Sequence, residues 1–157
     1  MNPPGLLFVC LGNVCRSPIA EAVARRMHAE RWPDLELRIA SCGTAAFNAG
    51  KPADPRAVAV LRAAGYDPAP HRARQIDDSD FAAFGHIIAM DRANLLTLSA
   101  WAPARFDGSI RLLASAGGTR MEIPDPFHAD TQAFAEALRL IEIGIRGVLT
   151  EILGPPA

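Results

Sequence analysis

Cys10 and Arg16 close the two ends of the string Cys10-Leu11-Gly12-Asn13-Val14-Cys15-Arg16, which Ser17 follows. Their side chains can do chemistry together. A thiolate is a strong nucleophile, and a guanidinium is a permanent cation whose planar fork binds two phosphoryl oxygens at once, which an ammonium cannot do. Held in one concavity, with the sulfur beneath a phosphorus and the fork around its oxygens, the pair suits in-line attack on a phosphate ester. Such an electropositive setting also favours thiolate over thiol at Cys10.

A strand, a tight loop and a helix must position these groups. Leu6-Leu7-Phe8-Val9 is an unbroken apolar run, and Pro18 opens a helical pattern. A loop between a strand and a helix points several backbone N–H groups into one hollow. The positive end of the helix dipole adds to them, so the hollow suits a phosphate-like dianion. Gly12 lets the backbone approach the anion closely, and Asn13 tolerates the left-handed conformation that such a loop needs. Ser17 reads as an N-cap ahead of Pro18 at the first helical position, and its hydroxyl can also donate to the Cys10 thiolate.

The rest of the chain alternates helices with strands. Ile19, Val23 and Met27 recur at helical spacing with Glu21, Arg25, Arg26 and Glu30 on the other side, which predicts an amphipathic helix lying on a sheet. Trp32-Pro33-Asp34 ends it, and residues 35–40 alternate with period two, as an edge strand with one wet face does. The small-residue stretch Ser41-Cys42-Gly43-Thr44 follows at the carboxyl end of that strand, where ligands of open α/β sheets sit, so it should border the Cys10 loop. Asp54 and Pro55 read as N-cap and first position of a helix with Val58 and Leu61 buried, stopped by Gly65. Phe81 and Phe84 suggest a short helix. His86-Ile87-Ile88-Ala89-Met90 reads as a buried strand leading to Asp91, which either caps the helix carrying Leu95, Leu96 and Leu98 or borders the site. Ile110-Arg111-Leu112-Leu113 reads as a fourth strand. Phe134, Leu138, Ile141, Ile145, Val148 and Ile152 mark a long closing helix ended by Gly154-Pro155-Pro156. Four strands separated by helices imply right-handed crossovers and a doubly wound parallel sheet, an α/β fold with helices on both faces.

Thiolate attack on a phosphate ester needs a second group, because the leaving oxygen departs more easily when protonated. Residues 114–130 show no periodic pattern, and loops of that size inside compact domains are usually functional or disordered. They contain Asp125-Pro126-Phe127. A proline after the aspartate holds the backbone extended and can aim the carboxyl group into the pocket, although an ordinary Asx turn explains the same dipeptide.

The string from Val9 to Pro18 resembles the signature of the low-molecular-weight protein tyrosine phosphatase family. The likeness runs along nearly the whole chain through Ser41-Cys42-Gly43-Thr44, the segment from Gly50 to Arg56, His71-Arg72-Ala73-Arg74-Gln75, Met90-Asp91 with Asn94, and Asp125-Pro126. It implies a phosphotyrosine protein phosphatase I-like fold with strand order 2-1-3-4. It implies Cys10 as nucleophile, Arg16 as phosphate ligand, Asp125 as general acid, and Leu11, Gly12, Asn13, Val14, Cys15 and Ser17 as the phosphate-binding loop. By the same likeness Ser41 hydrogen-bonds Asn13, and His71 joins that network as a support rather than a proton donor. Phe47 falls where the family carries Trp or Tyr on the pocket wall, with an ordinary core or surface phenylalanine as the alternative. Phe127 joins it there in place of a common tyrosine, and His128 replaces a residue that is tyrosine in some members, so regulation by phosphorylation of those tyrosines is not expected. In the family a Cys10–Cys15 disulfide shields the nucleophile from over-oxidation; space filling is the other reading of Cys15. Cys42, where the family usually has alanine, reads as a small buried filler.

The totals bound these readings. At 157 residues, half of them hydrophobic, with a formal net charge of −1, the chain is expected to form one domain over residues 1–157 around one good core. No basic patch points to nucleic acid, no apolar run is long enough for a bilayer, and Met1-Asn2-Pro3-Pro4-Gly5 lacks the regions of a signal peptide. A cytosolic monomer is expected. Three cysteines fit a reducing compartment, and with no paired C-x-x-C and four scattered histidines neither a metal nor another cofactor is expected. Phosphotyrosine proteins or small aryl phosphates are the expected partners, with inorganic phosphate or another oxyanion as competitor. Three readings compete. Arsenate reductases of the superfamily need relay cysteines after Gln75, and none follow Cys42. Arginine phosphatases usually carry threonine where Val14 stands. A non-catalytic phosphate-binding module would lack the thiol or the acid, and both are present.

Overall fold

The computed structural model describes residues 4–116 and 122–156. Met1, Asn2 and Pro3 of the N-terminal stretch and residues 117–121 of the aperiodic segment lie outside the described residues.

Leu6, Leu7, Phe8 and Val9 form the middle of strand β1 (Gly5–Cys10), and all four are fully buried. An apolar run without alternation belongs in a strand covered on both faces. β1 pairs in parallel with β2 (Arg38–Gly43) on one side and β3 (His86–Ala89) on the other, and β3 pairs in parallel with β4 (Ser109–Leu112). The order β2-β1-β3-β4 is the expected 2-1-3-4.

Alternate side chains of β1 feed two cores. Leu6, Phe8 and Cys10 pack with Ile19 and Val23 of α1 (Arg16–Arg31), with Leu61 of α2 (Pro55–Ala63) and with Phe134, Ile141 and Ile145 of α6 (Thr131–Leu153). Leu7 and Val9 pack on the opposite face with Phe81 of α3 (Asp78–Ala83) and Leu98 of α4 (Arg92–Trp101). Asp54 and Asp91 cap α2 and α4 as their sequence signals indicated, and Asp130, which the sequence reading left unassigned, caps α6; each accepts a backbone N–H at its helix start.

Several boundaries differ from the sequence reading. β2 starts at Arg38 rather than Leu35, because β1 begins at Gly5 and the register pairs Gly5 with Arg38, so the chain before Arg38 has no strand to meet. Leu35 instead donates its N–H to the Trp32 carbonyl at 3.1 Å and closes the turn after α1. β2 also continues through Ser41, Cys42 and Gly43, which brings the small-residue stretch alongside Phe8, Val9 and Cys10. β3 stops at Ala89 and β4 at Leu112; Leu113 opens α5 (Leu113–Ala116), a short helix within the supposedly aperiodic segment. On α2 it is Ala57 and Leu61 that are buried, with Val58 half-buried. Among the described residues no helix is long and apolar enough to cross a membrane.

Candidate active site

Cys10 ends β1 and Arg16 opens α1, so the residues between them must reverse the chain over the end of the sheet. Asn13 makes the reversal possible. Its φ is +56°, the only positive value at a described residue other than glycine, and asparagine tolerates that region. Asn13 is fully buried, yet its polar groups are all occupied. Its N–H donates to Cys10 Sγ at 3.3 Å; Nδ2 donates to Ser17 Oγ at 2.9 Å and to Ser41 Oγ at 3.1 Å; Oδ1 accepts from the Arg74 N–H at 3.0 Å. Its carbonyl accepts from His71 Nε2 at 2.7 Å. Ser41 in turn donates to Glu21 at 2.7 Å. The Ser41 and His71 contacts expected around Asn13 are thus both present. Asn13→Ala keeps none of the side-chain bonds and places an ordinary residue at positive φ, so it should cost about 3 kcal/mol in a urea unfolding experiment. A loss below about 0.5 kcal/mol, the scale of a neutral surface change, would show that the network does not hold the loop.

Ser17 differs from the N-cap expected of it. α1 begins at Arg16, its N-cap is Cys15, and no side chain caps it. The Ser17 hydroxyl lies 3.0 Å from Cys10 Sγ and 3.3 Å from the Cys42 carbonyl oxygen. The arrangement has a physical logic: a capping oxygen would occupy amides that an anion needs, whereas a hydroxyl turned to the sulfur leaves the helix N-terminus to a ligand.

Arg16 is only 2 % exposed, and its charge is compensated on the protein side. Nη1 donates to Asp91 Oδ2 at 2.7 Å and to the Ile123 carbonyl at 3.0 Å, while Nη2 lies 3.6 Å from Asp125 Oδ2. Asp91 also caps α4, its other oxygen, Oδ1, accepting the Asn94 N–H at 2.8 Å, so it meets the site through Arg16 while serving as the expected cap. Asp125 Oδ1 accepts the Phe127 N–H at 3.1 Å in the Asx turn, and its other oxygen, Oδ2, faces Arg16.

These groups open onto a cavity of about 170 Å³ lined by Cys10, Leu11, Gly12, Val14, Cys15, Arg16, Phe47, Asn48, Asp125, Phe127 and His128. Phe47 is 65 % exposed, so the core reading of it is excluded and it stands at the mouth. Two glycines let the walls close on the loop. A Cβ on Gly12 would meet Asn48 Nδ2 at 2.6 Å, and one on Gly43 would meet the Leu11 carbonyl oxygen at 2.6 Å. A larger cleft of about 260 Å³ between α1 and α2 includes Glu21 and His71 but neither Cys10 nor Arg16, so it lies behind the loop.

Cys15 and Cys42 are both buried. Burial first, and then the nearby Asp54 carboxylate, push the Cys15 thiol up to about 12, and burial pushes the Cys42 thiol well above its usual range. A thiol raised this far becomes thiolate only at strongly alkaline pH, so Cys15 and Cys42 stay protonated and unreactive at pH 8. Iodoacetate at that pH should therefore alkylate Cys10 alone, and inorganic phosphate should protect it. Mass-mapped labelling of Cys15 at a comparable rate would contradict this.

The sequence reading missed Glu21, Asn48, Arg74 and the Ile123 carbonyl. Glu21 carried a usable signal, since it lies one helical turn after Ser17 and so faces the same side of α1. Arg74 lay in the His71–Gln75 stretch whose likeness already pointed to the Asn13 network, whereas Asn48 and Ile123 carried no signal.

The sequence profile of the low molecular weight phosphotyrosine protein phosphatases matches residues 5–154. The low molecular weight protein-tyrosine-phosphatase of Streptomyces coelicolor is 37% identical, over 92% of this chain and 91% of that protein. Among solved structures, the protein tyrosine phosphatase of Entamoeba histolytica with Hepes in its active site superposes with a TM-score of 0.88 at 30% identity, covering 94% of this chain and 96% of that one. A drosophila arginine phosphatase superposes at 0.86 with 31% identity, covering 93% and 96%. With the phosphate-loop string, the sheet order and these matches in agreement, the chain belongs to the low molecular weight phosphotyrosine protein phosphatase family.

Proposed function

We propose that this chain is a cytoplasmic protein tyrosine phosphatase that hydrolyses phosphotyrosine and aryl phosphates through a phosphocysteine intermediate. The observation that carries the reading is the meeting of a nucleophile, a phosphate-binding cation and a proton donor on one cavity: Cys10, Arg16 and Asp125. Cys10 Sγ attacks the phosphorus, forming the S–P bond as the P–O bond to the aryl group breaks. Asp125 delivers its proton to the departing oxygen. The Arg16 fork and the loop amides at the start of α1 hold the equatorial oxygens through the transition state. Asp125, now a carboxylate, takes a proton from water as that water attacks the phosphocysteine. The S–P bond then breaks, inorganic phosphate is released, and the sulfur leaves as a thiolate stabilised by the Ser17 hydroxyl 3.0 Å away and the Asn13 amide 3.3 Å away.

Val14, Phe47 and Phe127 give the cavity apolar and aromatic walls suited to a phenyl ring. The cytoplasmic assignment is supported by three cysteines that are all free. Assaying phosphotyrosine, phosphoarginine and arsenate side by side on purified protein tests the reading. Phosphotyrosine should have the highest kcat/KM. Preference for phosphoarginine would move the chain beside the drosophila relative in activity, and turnover of arsenate alone would overturn the proposal.

A further inference from the structure

We propose that Arg56 is a positioning residue for Asp125: it holds the acid-bearing segment closed over the phosphate loop. The inference rests on the phosphatase reading above and assigns a part to a residue outside the cavity. Arg56 sits in the first turn of α2, tied to the N-cap Asp54 by Nε at 3.0 Å and Nη2 at 2.9 Å. Asp54 is itself anchored to the phosphate loop, since its N–H donates to the Val14 carbonyl at 2.8 Å. From this base the Arg56 guanidinium reaches across to the segment that follows Asp125. Its Cζ lies 5.4 Å from the centre of the Phe127 ring and 4.7 Å from that of Phe134, and Nη1 donates to the Ala129 carbonyl at 3.4 Å. Phe127 is the residue whose N–H fixes Asp125 Oδ1 at 3.1 Å.

The chain of contacts therefore runs from the phosphate loop through Asp54 and Arg56 to the Phe127 ring, and from the Phe127 amide to the proton-donating carboxyl group. Phe127 is 42 % exposed, and among the described residues its other ring partner is His128, its own neighbour in the chain. A cation over an aromatic face suits the task, because it attracts the ring of a residue that also lines the cavity. Lysine cannot reproduce the arrangement, having no planar fork to bind Asp54 while lying over two rings.

The test compares kcat/KM for aryl phosphates whose leaving groups differ in basicity. Arg56→Ala should lower kcat/KM about tenfold for phenyl phosphate, whose phenoxide needs the proton, and less than about twofold for 2,4-dinitrophenyl phosphate, whose leaving group does not. Inhibition by inorganic phosphate should be unchanged, and Arg56→Lys should restore little. In the Asp125→Ala background, Arg56→Ala should have no further effect, since a residue that acts through Asp125 has nothing left to position. An equal fall on both substrates, weaker phosphate inhibition, or additive losses in the double variant would each show that Arg56 merely supports the fold. Should Arg56→Ala fail to fold, Phe127→Leu removes the ring that Arg56 holds and should give the same leaving-group pattern; a flat pattern there overturns the proposal. Failure of the phosphatase reading is distinguishable, because the unmodified protein would then hydrolyse neither aryl phosphate.

Discussion

Cys10→Ser is expected to lower kcat/KM for aryl phosphates by on the order of 10⁴-fold or more, about 5 kcal/mol of transition-state stabilisation, while the protein still folds and still binds inorganic phosphate. The reason lies in what surrounds the sulfur. Its hydrogen-bonding neighbours are the Asn13 N–H and the Ser17 hydroxyl, both suited to stabilising a thiolate and neither able to take a proton from an alcohol. A serine placed there would attack as a neutral hydroxyl without a base. Binding should survive, because Arg16 and the start of α1 are untouched, and a hydroxyl in place of a thiol leaves no large void at a site that is 3 % exposed. Hydrolysis at the unmodified rate would remove Cys10 from the mechanism. Loss of phosphate inhibition together with activity would instead mean that the loop had collapsed, which thermal unfolding of the variant would reveal.

Asp125→Ala is expected to reduce kcat/KM for phenyl phosphate by about 10²- to 10³-fold, the ordinary worth of a positioned general acid, with a much smaller loss on 2,4-dinitrophenyl phosphate. Phosphate inhibition should hold or tighten. Asp125 stands 3.6 Å from Arg16 Nη2, so removing the carboxylate frees the guanidinium for a dianion rather than weakening it. Asp125→Asn separates chemistry from geometry. It retains an oxygen to accept the Phe127 N–H and hence the turn, but has no acidic proton; it should match the alanine variant in rate. If asparagine preserved most of the activity, the acid would have to be sought elsewhere. Since the Asp125 side chain is 43 % exposed, neither substitution should move the unfolding midpoint by more than a few degrees.

Both predictions depend on a site assembled from elements of unequal legibility. The half built by continuous sequence was readable: an apolar run, a loop with Gly12 and the positive-φ Asn13, then a helix, with reactive groups at the two ends of the loop. Asp54, Asp91 and Gly65 announced helix ends by local chemistry, and local chemistry acts within a turn or two of the chain. Asp91 shows where such reasoning stops. Capping was visible, but the pairing of its other oxygen with Arg16 depends on β3 lying beside β1, a tertiary fact. Ser17 shows the same limit from the other side, since a residue with good capping chemistry spends its hydroxyl on the sulfur that packing brings to it.

By itself, the amino-acid sequence determined that a cysteine and an arginine would share one strand-to-helix loop, that the sheet would be parallel, and that an aspartate followed by proline would lie in the aperiodic segment. Periodicity, caps and turn chemistry are properties of neighbouring residues, so they can be read along the chain. Only the tertiary structure decided that Asp125 faces Arg16, that Glu21 and Arg74 steady Asn13 through Ser41 and a backbone amide, and that Arg56 spans from the phosphate loop to Phe127. Each of those contacts joins segments far apart in sequence, and their meeting is set by how strands, helices and loops pack together, which no local pattern encodes.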